Sequence, residues 1–383
     1  MPLISRSQRL PAIDLLRGTV MLIMLLDHVR ETFYLHYQVL DPMALEQTGT
    51  GLFLGRMLSH LCAPVFVFLT GLSAFLYRDK QRSSAAASAF LLKRGLFLVV
   101  LELTLVNFAW TFEFPPHTIY LQVIWVIGLS MIALAALLWL PRPALVALGV
   151  LLVAGHNLLD GLQVAQDSAW QPLWAVLHQR EWMAVGDGLR LRTSYPLLPW
   201  IGVIALGYAA GPWFSARFSA AQRQRRLVAA GAGALLGFVL LRALNVYGDA
   251  PWIAGDGAGA TLMSFFNVTK YPPSLLFLLL TLGIGLLLLR AFERPAIAHR
   301  LGFVAVFGAA PMFFYLLHLY VLRGLYLLCL RAWGANQGEV FGFAHVAGLW
   351  LATPLLALAL YPAVRWFAQL KARRRDIGWL KYL

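Results

Sequence analysis

Residues 273–290 read PSLLFLLLTLGIGLLLLR, eighteen positions whose single charge is the last. At about 1.5 Å per helical residue the run covers ~27 Å, close to the ~30 Å of a bilayer's hydrocarbon core. Runs of this kind recur along the chain. Ten spans are expected, at about 11–28, 52–77, 95–113, 119–140, 143–160, 196–213, 227–244, 273–290, 302–323 and 345–367. Composition agrees: 60% of the 383 residues are hydrophobic and 13% charged, against about 25% charged in a soluble domain. Two or three soluble domains are therefore excluded. A membrane β-barrel would alternate in segments of about ten residues, and these runs are continuous. The expected fold class is all-α, a polytopic membrane bundle of about ten transmembrane helices forming one integral-membrane domain over residues 1–383.

The net charge is +14, from 31 basic and 17 acidic residues. On a soluble protein that would raise nucleic-acid binding. Here most of the bases sit in every second interspan segment: Arg78, Lys80, Arg82, Lys93 and Arg94; Arg142; Arg217, Arg223, Arg225 and Arg226; Arg290, Arg294 and Arg300; and the C-terminal tail. The positive-inside rule then places both termini in the cytoplasm. The long loops, 29–51, 161–195, 245–272 and 324–344, fall outside. Cys62 and Cys329 form no spacing motif, so neither a disulfide framework nor a metal site is expected. The first apolar stretch carries Asp14 and Arg17 and has no small-residue cleavage site, so it reads as a retained helix. Gly231, Gly233 and Gly237 read as close helix packing, since no strand precedes them and their spacing is not a nucleotide fingerprint.

Ionisable residues within spans are costly and mark function. The first span carries Arg17 near its inner end and Asp27-His28 at its outer end, followed by Arg30. Arg17 and His28 are eleven apart, three helical turns, so they share a face about 16 Å apart along the axis. Arg56 and His60 open the second span, i,i+4 on one face. Lys270 precedes the eighth span and is the one lysine outside the expected cytoplasmic segments. His318 lies in the outer half of the ninth. Each alone also reads as an interfacial anchor or a core side chain, yet four spans bring such groups to one depth. Glu102, midway along the third span, reads either as an ion pair with Arg17 or as a protonated carboxyl bonded to a backbone carbonyl.

The stretches Asp14-Leu-Leu-Arg17-Gly18, Asp27-His28, His60-Leu-Cys-Ala-Pro64, Gln122-Val-Ile-Trp125, Tyr195-Pro196, Asn267-Val-Thr-Lys270-Tyr271-Pro-Pro-Ser274 and Pro311-Met-Phe-Phe-Tyr315-Leu-Leu-His318 run nearly the length of the chain. As a set they resemble the bacterial branch of the heparan-α-glucosaminide N-acetyltransferase catalytic-domain family, within the transmembrane acyltransferase superfamily. The resemblance implies acetyl-CoA used from the cytoplasm and an acyl group delivered to an acceptor, a sugar or envelope glycan, on the outer side. It also implies a reactive histidine at the outer end of the first span. That residue is His28 or His36, because the lysosomal branch has Asn at the His28 position and carries its reactive His further along.

In the mechanism these readings suggest, His28 is general base or transient acyl carrier and Asp27 orients its ring. Lys270, His60 or Arg30 would stabilise the oxyanion. His318 joins the catalytic set, and Arg17, Glu102 and Arg30 the set that holds acetyl-CoA. Expected partners are acetyl-CoA, the acceptor and the lipid bilayer, with a homodimer left open. Two rival classes are a proton-coupled secondary transporter, which would show internal pseudo-symmetry and midplane polar groups, and a non-catalytic membrane scaffold.

Overall fold

The computed structural model describes residues 11–37, 39–186, 188–374 and 376–382. Its elements, in chain order, are α1 (Pro11–Phe33), α2 (Thr50–Ser59), α3 (Cys62–Gln81), α4 (Ser84–Leu101), α5 (Asn107–Thr111), β1 (Thr118–Leu121), α6 (Val123–Leu137), α7 (Arg142–Gly155), α8 (Gln171–Leu177), β2 (Trp182–Val185), β3 (Leu189–Thr193), α9 (Leu198–Ala210), α10 (Ala220–Leu244), α11 (Ala258–Phe266), α12 (Leu275–Phe292), α13 (Pro295–Arg300), α14 (Val304–Ala309), α15 (Pro311–Trp333) and α16 (Ala347–Arg373). Among the described residues, six helical stretches are long and apolar enough to cross a membrane: 50–81, 142–159, 220–244, 275–292, 311–333 and 347–373. The helices at 123–137 and 198–214 are apolar but shorter. The chain is a helical membrane bundle.

Local chemistry sets the boundaries. Ser219 accepts the Gln222 N–H while the Gln222 side chain accepts the Ser219 N–H, a reciprocal cap that opens α10. Ser274 caps α12 through the Phe277 N–H at 3.0 Å. The ninth span departs from expectation. It is cut at Pro311, which has no N–H to continue α14 and instead starts α15 in its first turn. The new helix then runs to Trp333, ten residues beyond the expected end. The fourth span also begins differently, since 118–121 is a strand and the helix starts at Val123.

That strand belongs to a three-stranded sheet in the order β1-β3-β2. β2 and β3 form an antiparallel hairpin whose turn uses Gly186 and Gly188 at positive φ. β3 pairs in parallel with β1. The sheet adjoins the C-terminal end of α1. Arg17, Arg94 and Lys371 gather at the opposite end of the bundle, here called the terminus face.

α1 lies at the centre, packed against α2, α3, α12, α14, α15 and α16. Its approach to α14 is backbone to backbone. A Cβ on Gly308 would stand 1.8 Å from the Asp14 carbonyl oxygen, and one on Gly18 2.1 Å from that of Val304. α3 and α9 cross in the same reciprocal way at Gly71 and Gly207. Lipid supplies little hydrophobic drive between helices, so close approach of small residues carries the packing. Gly231 follows this pattern against Gly283 of α12, whereas Gly233 faces open space.

Gly308→Ala should therefore push α1 and α14 apart and cost roughly 1–3 kcal/mol, as overpacking does. Gly324→Ala, on an open face of α15, should be neutral or stabilising by up to about 1 kcal/mol. Thermal unfolding of both variants in detergent checks this, and equal stability would contradict the packing account.

Candidate active site

The last two turns of α1 carry Asp27, His28, Arg30 and Glu31 into a cavity of about 430 Å³ on the sheet side of the bundle. Asp27 is its electrostatic centre. Arg30 Nε donates to Asp27 Oδ1 at 3.0 Å, Arg56 Nη1 of α2 to Oδ2 at 3.1 Å, and Lys270 Nζ stands 4.0 Å from Oδ2. Arg30 also reaches Glu31 at 2.8 Å. Lys270 is delivered by the segment 267–274, which is fastened at three points. Asn267 exchanges two hydrogen bonds with the Met43 backbone, the Lys270 N–H donates to Asp41, and Asp249 accepts from the Thr269 and Ser274 hydroxyls, both at 2.6 Å. Burial raises the Asp41 carboxyl above its ordinary range despite the Arg56 and Lys270 charges nearby.

His28 meets His318 of α15, Nδ1 to Nε2 at 2.7 Å, with the rings nearly parallel. The partners decide the tautomers. His318 Nδ1 lies 2.6 Å from the Phe314 carbonyl oxygen, and a carbonyl only accepts, so that nitrogen carries the hydrogen. In a neutral His318 ring Nε2 is then the acceptor, and His28 Nδ1 must donate to it. The lone pair of His28 is left on Nε2, on a ring that lines the cavity. Trp110 and Tyr315 meet the His28 ring at steep angles, centroids 5.2 and 5.9 Å away. A base held by a second imidazole can take a substrate proton and keep its orientation.

A second cavity, of about 310 Å³, opens from the terminus face. Arg17, Arg94 and Lys371 supply its charge, and the depth is apolar, with Met21, Leu98, Ile127 and Met312. Arg94 Nε is buried without a hydrogen-bond partner among the described residues. Met24, Phe66 and Val123 line both cavities, so the two adjoin at these side chains. A third cavity, about 390 Å³, adjoins the first across Arg180 and Tyr271, which line both. There His178 donates to Asp160 at 3.0 Å. Burial alone would raise Asp160, but the hydrogen bonds from His178 and Asn157 outweigh it and hold the carboxyl below its ordinary range.

The structure brings together Asp27, His28, Arg30, Lys270 and His318 of the expected set. Four readings are corrected. Glu102 does not pair with Arg17; its Oε2 accepts the Trp125 N–H at 2.9 Å, one of the N-terminal donors that α6 cannot satisfy itself. Arg17 bonds instead to Asp14, Ser73 and the Gly308 carbonyl. Arg30 stands with Asp27 and Glu31, in the cavity opposite the one that Arg17 lines. Asp27 does not orient His28; His318 does. His60 is buried against Phe277, neither ring nitrogen has a partner among the described residues, and it lies outside the cavity lining. His36 is exposed beyond α1 beside Tyr34 and is likewise outside that lining. Sequence reasoning passed over Arg94, Arg180, Arg192, Arg323 and Tyr271 as site residues. Arg180 and Arg192 did carry a signal, being basic residues on the side where bases are few.

No curated protein matches the sequence. The family model for heparan-alpha-glucosaminide N-acetyltransferase, catalytic, matches residues 9–247, well over half of the chain. That stretch contains Asp27, His28 and Arg56, while Lys270 and His318 follow it. The chain thus belongs to the heparan-alpha-glucosaminide N-acetyltransferase catalytic family of transmembrane acetyltransferases.

Proposed function

We propose that the protein moves an acyl group from cytoplasmic acetyl-CoA to an amine or hydroxyl of a sugar or glycan acceptor on the opposite side of a bacterial inner membrane. The observation that carries this is the His28–His318 pair in a cavity that adjoins, at Met24, Phe66 and Val123, a second, basic-mouthed cavity. A transfer across the membrane needs access for the donor from one side, access for the acceptor from the other, and a short distance between them.

Coenzyme A is long, with phosphates at one end and the thioester at the other. Arg94, whose buried Nε lacks a partner among the described residues, suits the phosphates together with Arg17 and Lys371. The apolar depth of that cavity suits the pantetheine arm. The thioester then reaches the junction of the two cavities, where the Met24 side chain has the rotational freedom to yield. In the transfer itself, the acceptor nitrogen or oxygen bonds to the acyl carbonyl carbon and gives its proton to His28 Nε2. His318 holds the imidazolium through the Nδ1 hydrogen bond. The C–S bond breaks, and the departing thiolate takes the proton from His28 to leave free coenzyme A. Lys270 and Arg30, anchored by Asp27, provide positive charge for the developing oxyanion.

A general base contributes roughly 10²–10⁴ in rate, so His28→Ala should lower kcat at least about a hundredfold while coenzyme A still raises the Tm. His318→Ala should lose part of that factor, and His318→Gln, which keeps an acceptor, should recover some of it. His36→Ala is the control; if it abolishes turnover and His28→Ala does not, His28 is not the base.

Arg94→Ala should raise the acetyl-CoA KM about tenfold with little change in kcat, because a phosphate contact is made equally in ground and transition states. An unchanged KM and unchanged stabilisation by coenzyme A would remove Arg94 from the donor site. The orientation is checked separately. A reporter fused after the last residue should read as cytoplasmic, and an extracytoplasmic reading would reverse the direction of transfer.

A further inference from the structure

The cavity that holds His28 is lined by six cations, Arg30, Arg56, Arg180, Arg192, Lys270 and Arg323, and by three carboxylates, Asp27, Glu31 and Asp41. The carboxylates are already engaged. Asp27 serves Arg30, Arg56 and Lys270, Glu31 serves Arg30, and Asp41 accepts from the Lys270 backbone. Among the described residues, Arg180 and Arg192 make no salt bridge and have no hydrogen-bond acceptor; the carboxylate that feels the Arg180 charge, Asp41, is already bonded to the Lys270 N–H.

Both are nevertheless held in place. Arg192 alternates with Arg190 along β3, so the two share a face, and pairing sets Arg192 opposite Trp182 of β2 and Tyr120 of β1. Its guanidinium lies 4.9 Å from the Trp182 ring centre. Arg180 lies 4.7 Å over the ring of Tyr271, and Tyr271 is fixed by its hydroxyl to that of Tyr195 at 3.1 Å. Stacking on a ring face uses the π surface of a guanidinium and leaves its in-plane N–H donors free. The two cations also oppose each other. Burial lowers the proton affinity of Arg192, and the charge of Arg180 lowers it further. A further, deeper donor in the same cavity is unanswered, since Arg56 is 4% exposed and its Nε has no partner among the described residues. A cavity built for a neutral or cationic ligand would gain nothing from stacked, mutually repelling guanidiniums.

We propose that Arg180 and Arg192 form an oxyanion subsite, and that the acceptor carries a carboxylate, phosphate or sulfate beside the group that is acylated. The proposal rests on the acyl-transfer reading for the word acceptor, and on the cavity alone for the anion. Two guanidiniums offer planar, paired donors that match such groups.

The test uses four probes with one amino-sugar core: glucosamine, glucosamine 6-phosphate, glucosamine 6-sulfate and muramic acid, whose added group is a carboxylate. The full chain in lipid nanodiscs is followed by ligand-induced Tm shift and by acetyl transfer from acetyl-CoA. At least one anionic probe should bind at about tenfold or more lower concentration than glucosamine, as a charge-assisted hydrogen bond predicts. The rank among the three identifies the anion. In R180Q/R192Q the ratio of anionic to neutral binding should fall to near one, and in R180K/R192K most of it should remain. Equal binding of neutral and anionic probes overturns the subsite, as does a preference that survives in R180Q/R192Q. Anion-selective binding with no transfer to any probe leaves the subsite standing and counts against the acyl-transfer reading instead.

Discussion

Asp27 is the residue on which the site depends. One buried carboxylate on α1 faces Arg30 from its own helix, Arg56 from α2 and Lys270 from the segment before α12. Burying a charge is costly, and removing one member of a buried pair strands the other at about 3–5 kcal/mol. Here three cations share one anion, so the arrangement fixes three chain segments relative to each other. The ties at Asp41, Met43 and Asp249 extend the same constraint to the loops after α1 and α10. His28 follows Asp27 in sequence, so its position is set by a network in which it has no hydrogen bond of its own.

His28 is oriented from a different direction. The Phe314 carbonyl holds the hydrogen on His318 Nδ1, His318 Nε2 accepts from His28 Nδ1, and His28 Nε2 is left as base. The order of donors follows from a backbone carbonyl that cannot donate. A neutral imidazole in the orienting position differs from a carboxylate in charge: it accepts the His28 hydrogen without bringing an anion beside the ring. The surplus of positive charge around it, from Arg180, Arg192 and Arg323, means that a bound anion would also complete the electrostatics of the chamber.

Much of this was legible in the residues. Runs such as 275–292 announce a membrane helix because the hydrocarbon core has one thickness and one chemistry. Asp27, His28, Lys270 and His318 stood out because a polar group at membrane depth is expensive. Errors arose where the partner lies far away in sequence. Glu102 looked like half of an ion pair, and nothing local shows that its carboxyl meets the first turn of α6. Asp27 was the nearer orienting group for His28 in sequence, yet adjacent residues on a helix point to different sides. His60 shares a helix face with Arg56 by spacing, and its backbone stays helical, yet the short imidazole packs against Phe277 outside the cavity lining that the longer Arg56 reaches.

By itself the sequence determined the class of solvent around the protein, the order of its helices, the family, and the depth at which its polar residues sit. The family rests on a set of short motifs, the others on composition or on a period along one segment. The tertiary structure alone decided which of those residues meet. The His28–His318 bond spans 290 positions, the Asp41–Lys270 tie 229, and β1 finds β3 across more than sixty residues. The physical reason is that depth along a helix is a one-dimensional quantity, readable from residue number. Rotation and lateral neighbours are set by how close backbones can approach at positions such as Gly18 and Gly308, which no single segment records.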